Sequence, residues 1–142
     1  MSAQMTVDGR AIPIGTVRLH FQYFLDDGPP HAWIDLVADS SNARLGGIAI
    51  NCLDVGDVPA LADLEGRTLS FGRTETAEGA ELNESVCWLP GDDTLEMESL
   101  RIAFGRVDSG ALPIALDARC FDHHGRTGIA VRVVATIDFG TT

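Results

Sequence analysis

Apolar residues recur at every second position through most of this chain, the period of a β-strand with one buried face. Val17, Leu19, Phe21, Tyr23 and Leu25 alternate with Arg18, His20, Gln22 and Phe24, and Phe24 is the one exception in the polar series. Asp26-Asp27-Gly28-Pro29-Pro30 ends the run, because proline removes backbone donors and glycine supplies positive φ. Ala32, Ile34, Leu36 and Ala38 then share one face of a second strand, with Trp33 and Asp35 on the other, and the two runs predict a hairpin. A third strand is expected over Leu45–Leu53, with Ile48, Ile50 and Cys52 on one face and a bulge or close backbone approach at Gly46-Gly47.

Helical periodicity is confined to one short stretch. Asp57 as cap, Pro59 in the first turn, Val58, Leu61 and Leu64 on one face and Gly66 at the end predict at most about two turns, or a 3₁₀ element. Thr68–Phe71 and Ser85–Leu89 read as short strands, the second stopped by Pro90-Gly91-Asp92-Asp93. Leu95 and Met97 have one parity, and Leu100, Ile102 and Phe104 have the other. A phase flip near Glu98-Ser99 requires a bulge or a strand that changes sheets.

The C-terminal third alternates most regularly. Leu112, Ile114, Leu116, Ala118 and Cys120 form one apolar series, and Ile129, Val131, Val133, Ala135, Ile137 and Phe139 form another. A loop over Asp122–Gly125 keeps both series on the same side and places Gly125 where a left-handed residue is wanted. Pro113 belongs near an edge or a strand start, where its missing N–H does no harm. The expected fold is all-β and mainly antiparallel, a β-sandwich or small β-barrel of about eight strands with at most one short helix, in a single domain over residues 1–142.

Charge changes the functional picture more than composition does. There are 21 acidic residues against 10 basic ones, all arginine, for a net charge of −11. A surplus of that sign argues against nucleic acid and anionic membrane as partners, since both need a positive footprint. Glu75, Glu78, Glu81, Glu84, Asp92, Asp93, Glu96 and Glu98 lie in an arginine-free stretch that holds eight of the eleven excess charges. Glu75–Asn83 has no apolar period and reads as an exposed loop.

A single-sign cluster speeds association with a partner of opposite charge. The leading expectation is therefore a non-enzymatic binding module, similar in charge and size to acidic inhibitor and immunity proteins that block basic targets. Glu75, Glu78, Glu81, Glu84, Asp92 and Asp93 would meet the partner, with Trp33 or Trp88 as anchor. Trp33, of Asp35's parity, is the better placed for exposure.

Chemical motifs are sparse. His20, His31, His123 and His124 lack ligand spacing, and Cys-x-x-Cys is absent, so no metal or cofactor is expected. Asp26-Asp27 and Asp92-Asp93 lack EF-hand spacing, and aspartate favours turns for its own hydrogen bonding. Cys52, Cys87 and Cys120 read as buried thiols of a reducing compartment, and with no leader pattern at the start the default location is the cytoplasm.

The alternative expectation is a small-ligand or hydrolytic site built from His20 or His31 with a carboxylate such as Asp35 or Asp117 in a pocket. A third is self-association through a sheet edge. Asp39-Ser40-Ser41-Asn42-Ala43-Arg44 resembles the Asp-x-Ser-x-x-Gly turn of PilZ domains, β-barrels that bind a cyclic dinucleotide. Arg44 replaces the glycine, and the upstream Arg-x-x-x-Arg is missing.

Overall fold

The structure, a computed structural model, describes residues 3–25, 28–39, 46–72, 86–89 and 93–138. Its strands are β1 (Gln4–Val7), β2 (Arg10–Ile12), β3 (Thr16–Phe24), β4 (His31–Asp39) and β5 (Gly47–Gly56), followed by β6 (Thr68–Gly72), β7 (Val86–Leu89), β8 (Asp93–Phe104), β9 (Ala111–Phe121) and β10 (Ile129–Asp138). Every pairing is antiparallel. The expected all-β fold is therefore present, with ten strands among the described residues where about eight were expected.

Hydrogen bonds run along one path, β2-β1-β10-β9-β8-β7-β5-β4-β3, with β6 branching from β8. The path doubles into two sheets. β3 at one end comes close to β10 without forming a ladder with it, so the sheets face each other as a sandwich and do not close into a barrel. Between them lies one cluster of buried side chains, including Ile34, Leu36, Ile50, Leu53, Met97, Leu100, Ile102, Leu116 and Val133. Alternation is what makes this arrangement stable: each strand commits every second side chain to the core.

Register shifts in β8–β9 and β4–β5 keep the core continuous. The β8–β9 register shifts between Met97 and Ser99, where the phase flip was predicted. Glu98 and Ser99 are both exposed, so Met97 and Leu100 can both be buried. The bulge is also where β8 changes neighbour, from β7 along Asp93–Glu96 to β6 along Ser99–Ala103.

A second bulge, in β5, corrects the expected face. Ile34 lies opposite Leu53 and Leu36 opposite Ile50, so Leu53 and Val55 turn inward in place of the Cys52 parity. Ile48/Ile50 and Leu53/Val55 are out of phase, and only an extra residue lets both pairs be buried. The side chain of Cys52 lies outside the described residues.

The connections also differ from expectation in detail. The helical stretch is a 3₁₀ turn at Leu61–Leu64, entered from Ala60 and not from Asp57. Asp63 takes the Ala60 N–H at 3.1 Å, which leaves Asp57 for another partner. Asp93 is the first residue of β8, paired with Leu89, not part of the preceding turn. The β9–β10 connection covers 122–128, longer than the expected Asp122–Gly125, because the ladder sets Cys120 opposite Ile129. Parity is preserved, and Gly125 has the expected positive φ of 96°.

Near the start of β9, Pro113 accepts from the Gly105 N–H at 2.8 Å. A Cβ at Gly105 would lie 3.2 Å from the proline ring, so glycine allows the close approach.

Candidate functional site

The outward face of the β3–β4 hairpin carries an aromatic platform. Register sets Phe24 opposite His31 and Gln22 opposite Trp33. Phe24 and His31 stack with centroids 5.1 Å apart and planes 20° from parallel. Trp33 leans on both, 5.0 Å from Phe24 at 60° and 5.9 Å from His31 at 55°. The three rings thus form a corner, with two nearly parallel faces and an indole set across them.

Trp33 is 39% exposed and Leu25 is 65% exposed, and both are large apolar groups held in water. Burial of such surface against a partner is favourable, and tryptophan is enriched among binding anchors. Outward orientation follows from sequence: Ala32, Ile34, Leu36 and Ala38 take the core face of β4, which sends His31, Trp33 and Asp35 to the other.

Carboxylates rim this platform. Asp54 on β5 lies directly opposite Trp33, and Asp35 follows two residues along β4, opposite His20. Asp54 accepts the Gly56 N–H at 2.8 Å, which fixes its position at the end of β5. On the other parity of β3, away from the rings, Asp57 accepts the Tyr23 hydroxyl at 2.7 Å, joining β3 to the segment after β5. That hydrogen bond, then desolvation, then the charge of Asp57 raise the Tyr23 phenol above its ordinary value. A cation brought to this corner meets π faces and carboxylates together, the arrangement that attracts arginine and lysine side chains.

Most of the acidic stretch singled out in the sequence, namely Glu75, Glu78, Glu81, Glu84 and Asp92, lies outside the described residues. So does the Asp39–Arg44 turn from Ser40 onward. Trp88 and Asp93 are described only as backbone, in β7 and β8. Of the two tryptophans expected as anchors, Trp33 is the one whose side chain is described, and it is exposed.

His123 approaches Glu96 at 3.5 Å, and His124 donates its backbone N–H to Asp122 at 2.9 Å. Asp122 also accepts the Arg126 N–H at 2.9 Å, and these two backbone donors hold its carboxyl below the usual range. This is a turn organised by one aspartate. Among the described residues no three His, Cys, Asp or Glu side chains group to hold a metal. Cys87 and Cys120 are free and buried, and burial pushes each thiol up to about 12. Cys120 shares the inward, buried parity of β9.

Among the described residues no helix is long and apolar enough to cross a membrane. Compared with known protein families, with curated proteins and with solved structures, the chain matches none.

Proposed function

We propose that this chain is a non-enzymatic protein-binding module that takes a basic partner on the Trp33 platform. One observation carries the reading. An exposed tryptophan is held by two stacked rings and rimmed by Asp35 and Asp54 on the outward face of the hairpin. An isolated exposed aromatic is ordinary, but Phe24, His31 and Trp33 together make a patch with shape and an apolar surface to desolvate. The net charge of −11 and the carboxylate rim select a partner of opposite sign, with arginine or lysine seated against the indole. The acidic residues Glu75, Glu78, Glu81, Glu84, Asp92 and Asp93 belong to the same reading as the long-range attraction that brings the partner in.

A cytoplasmic location is part of this reading, on the strength of the free thiols Cys87 and Cys120. Nucleic acids and anionic membranes do not suit the charge.

The test is affinity capture on the full chain, washed first at low and then at high salt, with bound proteins identified by mass spectrometry. A basic protein retained at low salt and released by high salt supports the reading. Binding indifferent both to salt and to charge reversal at Glu75, Glu78, Glu81 and Glu84 overturns its electrostatic part.

A further inference from the structure

Away from the Trp33 platform, the outward face of β6, β8 and β9 holds a groove of about 490 Å³. Antiparallel register arranges its polar side chains in two neighbouring rows. Ser70, Arg101, Asp117 and Arg132 follow one another across β6, β8, β9 and β10, and Ser99 and Arg119 face each other in the next row. All of these except Arg132 line the groove. Arg101 and Arg119 are diagonal neighbours on adjacent strands, about 7–8 Å apart at the backbone, a spacing that two long side chains close easily.

Among the described residues, Arg101, Arg119 and Arg132 share this surface with Asp117 and with Glu98, which is exposed at the bulge. Asp117 contacts Arg132 at 3.5 Å. Arg119 reaches only the carbonyl of Ala118, at 3.5 Å. Among the described residues neither Arg101 nor Arg119 has a carboxylate in ion-pair range. Two guanidiniums and two serine hydroxyls therefore converge on one concavity as hydrogen-bond donors.

We infer that this groove binds a small metabolite through an oxyanion, a phosphate or carboxylate group. Arg101 and Arg119 hold the anion from adjacent strands, Ser70 and Ser99 donate to it, and Asp117 accepts from a hydroxyl on the same ligand. Guanidinium suits this task because its planar fork matches both oxyanions. The inference does not rest on the Trp33 platform, and each stands or falls alone.

The experiment is an amide NMR titration of the ¹⁵N-labelled full chain with inorganic phosphate, glycerol phosphate or acetate, each compared with sodium chloride at equal ionic strength. Saturable shifts centred on Ser70, Ser99, Arg101 and Arg119 are expected. Affinity should fall about tenfold in Arg101→Gln and in Arg119→Gln, the loss of one charge-assisted contact. Arg106→Gln, at an exposed arginine outside the groove, should bind as the unaltered chain does. Saturation by both phosphate compounds assigns a phosphate site, and saturation by acetate alone assigns a carboxylate site. Shifts that match sodium chloride, or an affinity in Arg101→Gln and Arg119→Gln unchanged from that of the unaltered chain, would overturn the inference.

Discussion

Asp8 and Ala130 exchange two hydrogen bonds at the end of the β1–β10 ladder. The Asp8 N–H donates to the Ala130 carbonyl at 2.7 Å, and the Ala130 N–H donates to the Asp8 carboxylate at 3.0 Å. Asp8 has φ 49° and Gly9 has φ 81°, the signature of a two-residue hairpin turn, so the side chain continues a ladder that the backbone has left. Arg126 closes on the same carboxylate at 2.6 Å.

These contacts set a direction for acid sensitivity. The Ala130 N–H, and then Arg126, hold the Asp8 carboxyl below its ordinary value. A depressed folded-state pKa means that the stabilisation is present above the unfolded pKa, about 3.9, and is lost as pH falls through the folded one. The Ala130 amide resonance is expected to titrate with a midpoint below that of an ordinary aspartate. Asp8→Ala should abolish this transition and fray β1 from β10. An Ala130 resonance that titrates alike in both chains would contradict the assignment.

Tyr23 is the one tyrosine of the chain, so its ionisation can be read directly by ultraviolet absorbance. Its hydroxyl donates to Asp57, and the phenol is raised by that bond. The sign is opposite to that of Asp8: the contribution is present below the unfolded pKa, near 10, and is lost as pH rises through the folded value. Asp57→Asn removes the charge and should move the absorbance midpoint back toward an ordinary tyrosine. An unchanged midpoint would show that Asp57 does not govern Tyr23.

Ile102 is fully buried in β8, between Leu69 of β6 and Leu116 of β9. Ile102→Ala should destabilise the chain by about 2–5 kcal/mol, from lost transfer energy and the cavity left behind. Urea denaturation checks this as a lower midpoint with an unchanged slope. A loss below about 0.5 kcal/mol would place Ile102 outside the core.

Cys87 and Cys120, with thiols pushed to about 12 by burial, hold almost no thiolate at neutral pH. Neither should react with a thiol reagent in the native chain, and both should react in denaturant, as peptide mapping will resolve. Labelling of either one under native conditions would mean that the sheets open locally.

Much of this fold is written in its periodicity. The β9–β10 hairpin and the Glu98-Ser99 bulge follow from where apolar parity holds and where it flips. The β1–β2 hairpin escaped because strands of four and three residues are too short to display a period. Its one signal was the Asp8-Gly9 turn pair. The β5 bulge escaped because Cys52 continued the Ile48/Ile50 parity in the sequence, and the burial of Leu53 and Val55 is what reveals the extra residue.

For the site, parity makes Trp33 the better placed of the two tryptophans for exposure, while core packing is the expectation for both, and Trp33 is 39% exposed. Phe24, the lone aromatic among the polar positions of its strand, was the available sign of a platform, but its meeting with His31 depends on hairpin register. The Arg101–Arg119 groove needs three strands in register at once, and no single segment of sequence carries it.

The central claim is that the Trp33 platform is a binding surface, and it is tested most directly by capture on the unaltered chain beside Trp33→Ala. Circular dichroism and thermal melting show that the two are equally folded, as expected for a side chain 39% exposed. The account predicts a basic protein retained at low salt by the unaltered chain and lost from Trp33→Ala. Equal retention by both chains, or no basic protein retained by either, would contradict it.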